Sequence, residues 1–142
     1  MTATQLSVFI ENRQGRLGEV LEVLKKNDVN ILSLSLADTT EYGLLRLIVN
    51  KPEVGKDVLA SNGFSTMLTD VLVIKITHKV GSLQKFLETL STKGVNIEYM
   101  YGLSIDGEEA SVVLKASDVE GACKVINDIG IDTLSNEQIR NF

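Results

Sequence analysis

Two polar loops at equivalent places in the chain hold the residues best suited to bind a small acidic ligand. The first is Asn12-Arg13-Gln14-Gly15-Arg16 and the second is His78-Lys79-Val80-Gly81-Ser82. Each leads into a leucine-containing amphipathic segment, so its glycine should stand at the start of a helix. A glycine there permits close approach of the backbone, and the free N–H groups of the first turn attract a carboxylate. The pattern predicts an anion-binding position at each loop.

The same residues also have simpler structural interpretations. Gly15 and Gly81 suit a turn without any ligand, and Arg13 and Arg16 suit solvated loop charges. His78, the one histidine, lies in a loop and not on an apolar face, so it suits an exposed residue as well as a ligand contact. Both interpretations stay open at this point.

The two loops belong to an internal repeat with a spacing of 66 residues. Residues 6–31 align with residues 72–97 with 10 of 26 positions identical, whereas chance would give about one or two. A unit of this length is too long for a solenoid repeat and has the size of a small domain. We therefore expect one domain over residues 1–69 and a second over residues 70–142.

Hydrophobic periodicity predicts the same order of elements in both repeats. The predicted strands are 5–11, 32–37, 44–49 and 64–69 in the first repeat, and 71–77, 97–105, 110–114 and 131–134 in the second. Helices are expected from Leu17, Pro52, Leu83 and Asp118, and Ser135 to Gln138 has the spacing of a capping box. The order βαββαβ is typical of an α+β, ferredoxin-like unit with an antiparallel sheet and helices on one face. We expect two such units side by side, with only Thr69-Asp70 as a polar break between them.

Composition excludes several classes of function. The net charge of −5 and pI near 4.9 argue against a nucleic-acid or anionic-membrane surface. An RNA-recognition domain shares the element order, but the third strands lack its aromatic residues. The single cysteine, Cys123, excludes an internal disulfide, and no secretion signal is apparent, so a cytoplasmic location is expected. The chain also lacks a nucleophile–base pattern, metal-ligand spacing and nucleotide-binding glycines, so we expect neither catalysis nor a cofactor.

The duplicated motifs resemble those of the ACT domain, a ligand-sensing module. Its usual signature is Asp-x-Pro-Gly-x-Leu in the first loop and Gly-(Ile/Val)-Asn-Ile before the second strand. Here Gly15-Arg16-Leu17 and Gly81-Ser82-Leu83 match the loop, and Val29-Asn30-Ile31 and Val95-Asn96-Ile97 match the strand motif. The resemblance covers nearly the whole chain twice and implies a tandem ACT protein without a catalytic domain.

The resemblance implies a protein that binds a free amino acid, or a related small carboxylate, at the first loops and between the two units. Neither loop has the family's Asp or Pro, so the ligand amino group is expected at oxygens around Asn30 or Asn96. We expect unequal sites, because the loops differ. The candidate ligand-binding residues are Asn12, Arg13, Gly15, Arg16, Leu17, Asn30, Ile31, His78, Val80, Gly81, Ser82, Leu83, Asn96 and Ile97.

Two further expectations concern partners. Tyr99 and Tyr101 share one side of their predicted strand, where the first repeat has Ser33 and Ser35, and this suggests a homodimer contact. A sensor of this kind would regulate a metabolic enzyme. The alternative is an ACT-fold interaction module that has lost its ligand site.

Overall fold

A computed structural model describes residues 1–11, 13–38 and 41–141 of the chain. Within these residues the elements are β1 (Ala3–Glu11), α1 (Arg16–Lys26), β2 (Ile31–Asp38), β3 (Tyr42–Val49), α2 (Pro52–Ser61), β4 (Ser65–Thr77), α3 (Ser82–Thr92), β5 (Ile97–Asp106), β6 (Glu109–Ala116), α4 (Val119–Asp128) and α5 (Asn136–Arg140). The strands pair antiparallel, so the predicted α+β class with ferredoxin-like units is confirmed. No helix of the described residues is long and apolar enough to span a membrane.

The chain divides into two compact units. The first unit consists of residues 4–69, and the second of residues 1–3 together with residues 70–141. The boundary between residues 69 and 70 therefore lies inside strand β4. Residues 1–3 lead into β1 but belong to the second unit.

In the first unit, β3 lies between β2 and β1 and pairs with both. Leu6 of β1 and Leu34 of β2 both lie opposite Leu47 of β3. Every second residue of β1 and β3 turns toward helices α1 and α2, so one face of the sheet is covered. The buried core consists of Leu6, Val8, Ile10, Val20, Leu24, Val29, Leu45, Leu47, Val49, Leu59 and Phe64.

The second unit repeats this arrangement, with β6 between β4 and β5. Leu72 of β4 lies opposite Leu114 of β6, and Met100 of β5 lies opposite the same residue. Helices α3 and α4 cover one face. The buried core consists of Leu72, Ile74, Phe86, Leu90, Val112, Leu114, Ala116, Ala122, Cys123 and Ile126.

The predicted helix boundaries are confirmed where a specific residue fixes them. Pro52 occupies the first turn of α2, and the Asp118 side chain accepts a hydrogen bond from the Gly121 N–H at the start of α4. At α5 both arms of the predicted capping box form between Ser135 and Gln138. The Asp118, Ser135 and Gln138 side chains satisfy N–H groups that have no partner inside the helix.

Two predicted strand boundaries are wrong. The polar pair Thr69-Asp70 does not end a strand. The two strands predicted on either side of it form one continuous strand, β4. Neither residue is a glycine or proline, so extended backbone can continue through them.

The strand predicted over 131–134 is reduced to a single bridge between Thr133 and Ile74. The Ile131 N–H donates to the Ile126 carbonyl at the end of α4, and Ser135 already caps α5. Too few residues remain between the two helices for a full strand.

The apolar face of β2 is less buried than its alternation predicts. Leu34 and Leu36 are 46% and 47% exposed. In the first unit β2 pairs only with β3 among the described strands, and the buried core draws its strand residues from β1 and β3. An edge strand with two half-exposed leucines is the result.

Candidate functional site

The two loop glycines adopt the backbone conformation that favours glycine. Gly15 has φ +88° and Gly81 has φ +84°, and each is the residue that precedes the first turn of its helix. A Cβ atom at either position would meet nothing within 4 Å, so the requirement for glycine is conformational. Neither α1 nor α3 receives a side-chain cap, in contrast to α4 and α5. The first turns of α1 and α3 thus lack the side-chain acceptor that caps α4 and α5.

Arg16 is the most distinctive polar residue at the first loop. Its Nη1 donates to Glu19 Oε2 at 2.6 Å, and its guanidinium carbon lies 4.3 Å from the centre of the Phe64 ring. The side chain is only 15% exposed, and its Nε–H is buried without an acceptor among the described residues. A buried donor without an acceptor costs about 1–3 kcal/mol. An oxygen ligand that reached this atom would remove that cost, and because the atom is closed to solvent the Arg16 side chain must move to receive one.

A cavity of about 480 Å³ opens beside this arginine. Two of its lining residues, Glu19 and Phe64, are the residues that Arg16 contacts. Its lining consists of Gly15, Gly18, Glu19, Glu22, Val23, Asn62 and Phe64. Carboxylates, an amide and apolar side chains therefore surround one space at the predicted loop, and a cationic arginine lies next to it.

The second unit has a corresponding groove of about 440 Å³ beside the start of α3. The repeat places Ser82 where the first unit has Arg16, and Lys85 where it has Glu19. The lining consists of Lys75, Ile76, Thr77, Ser82, Lys85, Phe86, Thr89, Ile129 and Ile131. The two loops therefore adjoin spaces of similar size and opposite charge.

The other predicted loop residues lie outside these spaces or at their margins. Arg13 pairs with Glu11 at 2.9 Å on the surface, and Asn12 is outside the described residues. His78 is exposed, and its backbone N–H donates to the Glu108 carbonyl. Val80 is fully exposed, Leu83 is 40% exposed, and Leu17 packs against the first-unit core.

The duplicated asparagines join strands within each unit. The Asn30 N–H donates to Asn50 Oδ1 at 2.8 Å, and the Asn30 carbonyl accepts from the Asn50 N–H at 3.0 Å. The Asn96 carbonyl accepts from the Ser117 N–H at 3.0 Å, and Asn96 Nδ2 donates to Ser117 Oγ at 2.8 Å. The neighbouring Ile31 and Ile97 pack against the two cores.

Within one unit the loop glycine and the asparagine are far apart. Gly15 precedes α1, whereas Asn30 follows its far end, and α1 has 11 residues. At 1.5 Å per residue the helix separates them by about 16 Å. A single small ligand bound inside the first unit therefore cannot touch both motifs.

Glu19, Glu22, Asn62, Phe64 and Lys85 line these spaces but were not among the predicted site residues. Glu19, Glu22 and Lys85 could have been predicted from the sequence, because they follow the loop glycine at spacings that share a helix face. Asn62 and Phe64 could not be predicted in this way, since they line the cavity together with α1, from which they are distant in sequence.

Cys123 is buried on α4. Its Sγ receives a hydrogen bond from the N-terminal ammonium at 2.9 Å and lies near Thr133 Oγ1 and Asn127 Nδ2. Burial alone raises the pKa of this thiol, but the hydrogen bonds from the ammonium, Thr133 and Asn127 and the charge of the ammonium bring the pKa below its ordinary value. No group of three His, Cys, Asp or Glu residues in the described part of the chain is close enough to hold a metal ion.

Comparisons with known proteins agree with this architecture. A family model described as an ACT domain pair matches residues 1–142. The solved structure of protein BT0572 from Bacteroides thetaiotaomicron is 37% identical in sequence and has a TM-score of 0.94. The match covers 100% of this chain and 98% of the BT0572 chain. No curated protein matches the chain.

More distant structures share the fold alone. The regulatory subunit of aspartate kinase from Thermus thermophilus, in a ligand-free form, is 16% identical with a TM-score of 0.64, and covers 89% of this chain and 92% of its own. The corresponding subunit from Thermus flavus is 18% identical with a TM-score of 0.57, and covers 88% and 90%. The resemblance stated from the loop and strand motifs is confirmed, and the chain belongs to the ACT domain pair family.

Proposed function

We propose that the protein is a regulatory sensor of a free amino acid and that the first-unit cavity beside Arg16 is its binding site. The observation that carries this proposal is the buried Arg16 Nε–H, which has no acceptor among the described residues. A ligand carboxylate is a strong acceptor for a guanidinium and can bind it through two parallel hydrogen bonds. The site lies at one of the two loops that the sequence singled out.

The remaining lining supplies what the other parts of an amino acid need. Glu19 and Glu22 are three residues apart on α1 and both line the cavity, so they offer carboxylates to an ammonium group. Val23 and Phe64 offer apolar surface to a side chain. When the ligand carboxylate binds Arg16, Glu19 exchanges its arginine partner for the ligand ammonium, and no charge is left unpaired.

The family supports a regulatory role. The two Thermus proteins of the same fold are regulatory subunits of aspartate kinase. By analogy, this chain would bind its amino acid and transmit the binding to a metabolic enzyme. Catalysis by the chain itself forms no part of the proposal.

A thermal-shift screen of the twenty amino acids tests the proposal. A ligand at 100 times its Kd adds about 2.7 kcal/mol of stability, which gives a shift of several degrees in Tm. We expect Arg16→Gln to remove the shift, because the carboxylate loses its partner. Arg13→Gln is the matched control, since Arg13 is an exposed arginine of the same loop, and it should keep the shift. If no amino acid at millimolar concentration shifts the wild-type Tm, the sensor proposal fails.

The half-exposed leucines of β2 favour a second candidate, an interaction module that contacts another protein chain. Tyr99 and Tyr101, on which the homodimer expectation rested, are partly buried, whereas Leu34 and Leu36 present more open apolar surface. A second copy of the chain is the simplest partner for such an edge strand.

Sedimentation at high micromolar concentration tests the dimer. The wild type should sediment as a dimer and Leu36→Lys as a monomer. Val54→Lys on α2 is the control, because Val54 is similarly exposed at 42% but lies outside β2. This variant should sediment as a dimer. A monomeric wild type would refute this candidate.

A further inference from the structure

The two loop spaces differ in the charges of their lining. In the first unit the cavity holds Glu19 and Glu22, whereas the lining of the second-unit groove contains no carboxylate. From this difference we infer that the groove of the second unit binds a second class of ligand, an aliphatic carboxylate without an amino group, such as a 2-oxo acid. The inference rests on the proposed function, because it treats the two loops as two effector sites of one sensor.

Lys85 provides the charge for this ligand. It lines the groove one turn into α3, and its ammonium has no ion-pair partner among the described residues. Lys75 also lines the groove but lies 4.0 Å from Glu109, so it is the lesser candidate. An ammonium on the ligand would meet Lys85 without a carboxylate in the lining to offset it, so a zwitterionic amino acid is disfavoured.

Ser82 is shorter than the residue that the first unit has at this place. Arg16 lies over Phe64 in the first unit, whereas the repeat puts the short side chain of Ser82 at the corresponding position. The groove lining includes three hydroxyl side chains, those of Ser82, Thr77 and Thr89. The Thr89 hydroxyl already donates to the Lys85 carbonyl. Hydroxyls can donate to a keto or carboxylate oxygen as well as accept.

The other side of the groove is apolar. Phe86 is a buried residue of the second-unit core, and Ile76, Ile129 and Ile131 are partly buried and pack against that core. A ligand side chain placed against them replaces water with hydrocarbon, which is favourable for an aliphatic group and unfavourable for a charged one. The volume of about 440 Å³ lies within the range of small-molecule sites, roughly 300–1,000 Å³.

Calorimetric titration of the full chain tests the inference. The probes are 2-oxo acids of three to six carbons, each paired with the L-amino acid of the same carbon skeleton. We expect at least one 2-oxo acid to bind, Lys85→Gln to weaken it by about tenfold or more, and Arg16→Gln to leave it unchanged. Lys93→Gln, at the other end of the same helix, is the control and should bind like the wild type. Lys85 is exposed, so folding should tolerate its replacement.

The outcomes separate the two proposals. If no 2-oxo acid binds, or if Lys85→Gln binds it as well as the wild type does, the assignment of the groove is overturned. If the groove assignment fails but an amino acid still binds and requires Arg16, the proposed amino-acid sensor stands without a second ligand. Conversely, if a 2-oxo acid binds through Lys85 and no amino acid binds, the groove is a 2-oxo-acid site and the amino-acid site beside Arg16 is refuted.

Discussion

At the scale of single residues, the difference between Arg16 and Ser82 matters most. Both follow a glycine of positive φ at the start of a helix, and they occupy the same place in the repeat. Arg16 covers an aromatic ring and has one buried donor without an acceptor among the described residues, whereas Ser82 contributes a hydroxyl to the lining of the second-unit groove. One position of the repeat thus gives the two loops different chemistry.

The helical glycines Gly55 and Gly18 form a matched pair for testing the packing of the first unit. A Cβ on Gly55 would lie 2.9 Å from Leu6 Cδ2, and Leu6 is fully buried, whereas a Cβ on Gly18 would meet nothing within 4 Å. Alanine is favoured over glycine inside a helix by about 1 kcal/mol. We expect Gly18→Ala to stabilise the fold by up to about that amount, and Gly55→Ala to destabilise it by about 1 kcal/mol because the clash outweighs the helix preference.

Urea unfolding of both variants measures this difference as a change of the free energy of unfolding. Equal stabilisation by the two substitutions would show that α2 can move away from β1 at little cost. Close packing of α2 against Leu6 would then be refuted.

At the scale of elements, side-chain capping distinguishes the helices. Asp118 caps α4 through the Gly121 N–H at 3.0 Å, whereas α1 and α3 begin at glycines without such a cap. We expect Asp118→Ala to destabilise the protein by about 1 kcal/mol, the usual cost of losing an N-cap. Asp118→Asn is the control, because asparagine caps about as well as aspartate. Thermal unfolding measures both, and an alanine variant as stable as the wild type would contradict the capping role.

The elements could be predicted where a local rule determines them. Periodicity located α1 and α3, Pro52 located the start of α2, and Ser135 with Gln138 located α5. The predictions failed at β4 and at residues 131–134, where pairing between distant segments and competition from neighbouring helices decide the outcome. Those contacts leave no periodic trace in the local sequence.

At the scale of the whole molecule, the sequence revealed the tandem architecture more fully than the site. The repeated Gly-x-Leu and Val-Asn-Ile motifs suffice to recognise the family. They predict the loops but not their partners: Phe64 reaches Arg16 from the end of the same unit, and Asn30 is held by Asn50. The spacing of residues in sequence cannot show which of them meet across a fold.

We propose that a free amino acid places its carboxylate on Arg16. The side-chain Nε–H resonance of Arg16 can be followed by NMR during titration with the amino acid that gives the largest thermal shift. We expect this resonance to shift and saturate with the ligand, while the Arg13 Nε–H resonance stays in place. If the amino acid binds and the Arg16 resonance does not move, the carboxylate lies elsewhere and Arg16 is not its partner.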